Sequence, residues 1–172
     1  MKIILLLLAA VVALVLVVLV IGAALPRTHL VSRHVILHRP PSEVYGVVRD
    51  FINAPSWRPD LDRVEMLRAG DNRVRFREHG KQGAVTYDVV EDQPPEKIVT
   101  RIADQDLGYS GTWTYTFQDE NGGTRLEITE AGDVPNVLFR FMSRFVFGHA
   151  STIEKYLGAL GKRFNEEVSP QP

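Results

Sequence analysis

Between Ile3 and Leu25 the chain runs IILLLLAAVVALVLVVLVIGAAL without a single charge. As a helix rising ~1.5 Å per residue, this stretch is roughly 34 Å long, enough to cross a hydrocarbon core of ~30 Å. It has no polar stripe to mark an inside and an outside, so it does not read as a core helix. Residues 1–26 are therefore expected to be a single-pass transmembrane anchor, or a signal peptide, since Lys2 offers a basic start and Gly22-Ala23-Ala24 a small-residue cleavage site. The apolar run exceeds the usual signal-peptide length, which favours the anchor. Lys2 competes with Arg27 and Arg33 under the positive-inside rule. A short N-terminal flank usually leaves the globular part outside the cytoplasm, and that is the expected localisation.

Residues 27–168 are enough for one domain with its own core, and Ser169-Pro-Gln-Pro172 reads as a disordered tail. The chain carries 20 basic and 21 acidic residues, a net charge of −1, which gives no electrostatic reason to expect nucleic acid. Cysteine is absent, excluding disulfides, thiolate metal sites and a cysteine nucleophile. His34 and His38 share a strand face but stand about 13 Å apart, too far for one metal ion, and no His-Glu-x-x-His motif exists. No metal and no cofactor is expected.

His29 to His38 is rich in β-branched residues and reads as a strand ended by Pro40-Pro41. A helix follows, with Val44, Val47, Val48, Phe51 and Ile52 on one face until Pro55. Six further strands are expected: Arg63 to Arg68, Arg73 to His79, Ala84 to Glu91, Lys97 to Ala103, Tyr109 to Gln118 and Thr124 to Glu130. Gly, Asn, Asp and Pro punctuate them, and short connections make neighbours antiparallel. With the first strand they form one meandering seven-stranded sheet. Asn136 to Glu166 reads as a long amphipathic helix, bent near Gly148, with Leu138, Met142, Phe145, Ile153, Leu157, Leu160 and Phe164 along its inner stripe. Gly158 and Gly161 are expected to let that helix lie close to the sheet. The fold class is α+β: a curved antiparallel sheet around a long C-terminal helix, preceded by one transmembrane helix.

This order of elements, with Pro40-Pro41 opening the first helix, Pro55-Ser56-Trp57 after it and Val134-Pro135-Asn136 leading into the last one, resembles the SRPBCC superfamily, also called START or Bet v 1-like. The resemblance covers about residues 30 to 166. It implies a helix-grip fold with an apolar tunnel for lipids, sterols, polyketides, quinones or hormones.

Strand alternation places candidate ligand contacts independently of that resemblance. Trp113, Tyr115 and Phe117 share one parity and should face the helix, as should Phe76 beside Val74, Tyr87 beside Val85 and Val89, and Leu126 with Ile128. Glu78 and Glu130 share this inward parity at strand ends, where each is either an acid–base group with a raised pKa or a carboxylate that is solvated or paired with a nearby arginine. His149 continues the helix stripe, either as a ligand or proton-transfer group or as a satisfied core-edge histidine. Trp57 either gates the tunnel or caps the core. Phe139, Phe141 and Phe147 lie off the stripe, to pack under loops or touch the bilayer.

Three functions fit. The first is membrane-tethered binding of a small hydrophobic ligand, a lipid, isoprenoid or polyketide-like molecule, through Trp57, Phe76, Tyr87, Trp113, Tyr115, Phe117 and His149. The second is a cyclase or aromatase using Glu78, Tyr87, Glu130 or His149. The third is a non-enzymatic interaction protein whose pocket is filled by its own aromatics.

Overall fold

Lys2–Ala24 form one helix, α1, in a computed structural model that describes every residue except Met1, Asp71, Asn72, Gln82 and His149, and the side chains of all but Val146 and Phe147 among the rest. Among the described residues α1 is the one helix long and apolar enough to cross a membrane, a test that a signal sequence also passes. Its lateral surface is bare except near its end, where Gly22 is buried. A Cβ there would come within 2.9 Å of Val137 Cγ1, so only glycine permits this approach.

Seven antiparallel strands follow α1: β1 (Thr28–Leu37), β2 (Leu61–Arg68), β3 (Val74–Gly80), β4 (Gly83–Gln93), β5 (Lys97–Ile102), β6 (Ser110–Glu120) and β7 (Gly123–Asp133). Their order is β1-β7-β6-β5-β4-β3-β2. The sheet is a meander only from β2 onward. β1 crosses to the far edge and pairs with β7, Thr28 opposite Asp133 and Leu37 opposite Thr124. The crossing is made by α2 (Pro41–Arg49) and a 3-10 turn (Phe51–Ser56) that carry the chain over the inner face. Pro41 begins α2 where a backbone N–H has no helical partner to lose. Val44, Tyr45, Val48 and Phe51 enter the core from this segment, whereas Ile52 remains exposed.

The inner parity is largely as the alternation requires: Phe76, Val89, Ile98, Tyr115, Phe117, Leu126 and Ile128 are buried. The convex side departs from it. Thr86 and Asp88, on the outward parity, are only 4 % exposed. Arg75 bonds Asp88 (Nε to Oδ1, 2.6 Å) and Arg77 bonds the Thr86 hydroxyl (2.9 Å), so long side chains lying across the strands shield the shorter ones.

The C-terminal helix is not one long rod. Asn136 caps α3 (Val137–Met142), accepting from the backbone N–H of Leu138 and Phe139. A π-helical turn, Ser143–Phe147, follows, then Gly148 at φ 71°, and then α4 (Ser151–Arg163). Gly148 takes a backbone conformation that an L side chain disfavours, so the expected bend is a break. Only the second half of the predicted stripe is core: Ile153, Leu157, Leu160 and Phe164 are buried, whereas Leu138 and Phe145 are exposed. The break rotates α3 and the turn away from the sheet, and α3 packs on α1 instead. Gly161 also serves a different contact from the one expected, because a Cβ there would meet Val168 and the Glu166 carbonyl rather than a strand. The segment after α4 returns to the sheet. Gln171 exchanges backbone hydrogen bonds with His34 (both 2.9 Å), covering the free edge of β1 where a disordered tail was expected.

Candidate functional site

The inner face of the sheet and α4 enclose a close-packed aromatic cluster. Tyr156, which the sequence reading passed over, is its centre. Its ring lies 5.2 Å from Trp57, 5.9 Å from Trp113 and 5.7 Å from Tyr115, centroid to centroid. Phe76 stacks on Phe51 at 4.1 Å and faces Tyr87 at 5.4 Å, while Phe117 meets Tyr45 edge-on at 5.5 Å. Six expected ligand contacts, Trp57, Phe76, Tyr87, Trp113, Tyr115 and Phe117, are thus brought together, each with rings of the core as neighbours. Tyr156 falls three residues after Ile153 on α4, the spacing that would have placed it on the inner face.

Polar groups enter this interior at two points. From the loop after the 3-10 turn, Arg58 reaches under Tyr156 (5.2 Å to the ring centroid), donates to Glu78 at 2.6 Å and binds Asp60 at 2.7 Å. Burial raises the Glu78 carboxyl above the usual carboxylate range against the pull of Arg58. For Arg58 burial acts downward, but Glu78 and Asp60 outweigh it and hold the guanidinium charged. Burial also pushes the hydroxyls of Tyr87, Tyr115 and Tyr156 up, so all three stay protonated around neutral pH. Glu78 is thus both paired with an arginine and held up by burial, so it carries a mark of each of the two roles its position allowed.

At the second point Trp113 donates its indole N–H to Glu130 Oε2 (2.9 Å), and Glu130 Oε1 lies 3.1 Å from His29 Nε2. Glu130 therefore links the aromatic cluster to β1. His149, the remaining candidate, lies outside the described residues.

His29 opens onto a cavity of about 750 Å³ at the end of the domain nearest α1. One wall is the chain leaving α1 and the first half of β1, from Leu25 to Val31 with Arg33. The opposite wall is the broken helical segment, including Arg140, Ser143, Arg144, Ser151 and Glu154. A typical small-molecule site occupies roughly 300–1,000 Å³, so the volume is appropriate for a ligand of that size. It lies between the sheet's β1 edge and the C-terminal helical segment, but displaced from the aromatics toward α1. Arg27 and Arg33 enter the sequence argument only through membrane topology, and Arg140 and Arg144 do not enter it. Two arginines four residues apart in the aromatic stretch VLFRFMSRF were the available signal.

Residues 28–164 match the family model described as polyketide cyclase / dehydrase and lipid transport. The chain belongs to this family. Solved structures agree on the fold of this family member. A START superfamily protein from Mycobacterium smegmatis superposes with a TM-score of 0.63 at 20 % identity, covering 80 % of this chain and 97 % of that one. The Zhui aromatase/cyclase from Streptomyces sp. R1128 gives 0.62 at 16 % identity, covering 80 % and 94 %. Norcoclaurine synthase from Thalictrum flavum gives 0.64 at 9 % identity, covering 81 % and 88 %. At these identities the likeness is one of fold alone. No curated protein matches the sequence. The SRPBCC assignment and its helix-grip architecture hold for this family member, with the grip made by α4 rather than by one unbroken helix.

Proposed function

We propose that this protein binds a small hydrophobic molecule, a lipid, isoprenoid or polyketide-like compound, at the surface of the membrane in which α1 anchors it. The observation that carries this reading is the position of the cavity. Its wall begins at Leu25 and Pro26, the residues that leave α1, so a ligand rising from the bilayer reaches the domain without crossing bulk water. Tethering raises the effective concentration of the domain beside such a ligand. In this reading residues 27–168 are the binding domain, residues 1–26 determine location, and the domain faces the extracytoplasmic side. The aromatic cluster acts as the rigid floor against which the cavity is built.

The test is mass spectrometry of organic extracts from the full chain purified in mild detergent. A hydrophobic species enriched over an extract of an unrelated single-span protein from the same membranes is the expected result. An extract identical to that control would reject the reading.

Acid–base chemistry of the cyclase kind is a second reading, favoured by one observation: Glu78 is held up by burial among three protonated tyrosines. It requires turnover that Glu78→Gln abolishes while ligand retention persists.

A further inference from the structure

We propose that the cavity selects amphiphiles with an anionic head, a carboxylate or a phosphate, and that Arg140 and Arg144 supply the charge that holds it. The inference rests on the binding reading above and names the ligand class. The whole chain has a net charge of −1, yet the cavity lining carries four arginines against one carboxylate, Glu154. Two of the four are neutralised. Arg27 grips both oxygens of Asp133 (2.5 and 2.8 Å), and Arg33 binds Glu154 (2.8 Å).

The other two keep their charge. Among the described residues Arg140 donates only to neutral carbonyls, those of Leu25 (3.0 Å) and Pro135 (3.3 Å), and its Nε is buried without a hydrogen-bond partner. Asp133 feels Arg140 electrostatically, but both of its oxygens are already taken by Arg27. Arg144 has no carboxylate within ion-pairing distance among the described residues. Guanidinium groups present forked N–H donors that match carboxylate and phosphate oxygens, and a cavity wall strengthens such contacts relative to open water. Leu25, Pro26, Val31 and Val134 line the same cavity and offer an apolar surface to a chain attached to that head. The bilayer is the source, because α1 leads directly into this wall.

The experiment measures retention of oleate, oleyl phosphate and oleyl alcohol by the full chain in a neutral detergent, in buffer alkaline enough to ionise the acids. Oleate and oleyl phosphate should bind about tenfold more tightly than the alcohol, which shares their tail. Arg144→Gln changes an exposed side chain and should bring the acids close to the alcohol, with the thermal melt unchanged. Glu154→Gln removes the carboxylate that occupies Arg33 and should widen the preference. Equal retention of oleate and the alcohol by the unsubstituted chain would overturn the anionic-head proposal and leave amphiphile binding standing. Retention of none of the three would overturn the anionic-amphiphile proposal as well, and the extract experiment above would then decide the binding reading on its own. Displacement of oleate by inorganic phosphate as readily as by oleyl phosphate would mean a site for free anions, and would overturn the bilayer source.

Discussion

Arg58 and Glu78 meet at 2.6 Å beneath the ring of Tyr156, joining the loop before β2 to β3, the strand next to the sheet's edge. Removing one member of such a buried pair leaves an uncompensated charge, whereas removing both exchanges two desolvation penalties for apolar packing. Arg58→Gln should therefore cost about 3 kcal/mol in urea unfolding. Arg58→Met combined with Glu78→Leu should cost clearly less than the sum of the two single changes. An additive double variant would show that the pair is not coupled.

Strand register supplies a second prediction. Tyr115 is buried against Tyr156 and Trp113, so Tyr115→Ala should cost on the order of 3 kcal/mol. Thr114 points to the convex face beside Val99 and Thr129, and Thr114→Ala should stay within about 0.5 kcal/mol. Equal losses at both positions would contradict the register.

The broken helix supplies a third. Leu160 is fully buried and Leu138 is half exposed, although both belong to one apolar stripe in the sequence. Leu160→Asp should unfold the domain or lower its melting temperature sharply, since an unpaired buried charge costs several kcal/mol of a stability of roughly 5–15 kcal/mol. Leu138→Asp should leave the melt nearly unchanged. Thermal unfolding of the two variants side by side decides whether α3 belongs to the core.

Acid stability should depend on the convex face. The hydrogen bond from Arg75 holds the Asp88 carboxyl below its ordinary value. A depressed folded pKa stabilises the protein above the unfolded value of about 4, and that contribution is lost as pH falls through the folded value. Arg75→Gln should thus raise the pH of acid unfolding while changing neutral-pH stability less than a core truncation does. An unchanged acid midpoint would rule the ion pair out as a contributor.

These expectations separate what the sequence carries from what it hides. All seven strands were legible because alternation and turn residues are local signals, and Tyr115 and Phe117 lie inward as their parity required. The pairing of β1 with β7 was not legible from short connections, because it joins residues such as Thr28 and Asp133 across nearly the whole domain. The helix break was masked because Phe145, His149 and Ile153 keep four-residue spacing straight through Gly148. Aromatic parity located a wall but not the space beside it. The cavity arises where three distant segments converge, Leu25 to Arg33, Arg140 to Arg144 and Ser151 to Glu154, and no window along the chain contains that convergence. Arg58 was missed for a related reason, since its partner Glu78 is reached only after the loop folds under α4.

Leu25, Pro26 and Arg27 are all that separate the end of α1 from the start of β1. Even fully extended, at about 3.5 Å per residue, such a leash spans on the order of 14 Å. Gly22 against Val137 shortens it further by clamping helix to domain. Held in a bilayer by α1 as proposed, the domain cannot ferry cargo from one bilayer to another as a free-swimming carrier does. On the proposed reading it is a fixed station, and whatever it takes up must return to the same leaflet or be collected by a visitor that docks there.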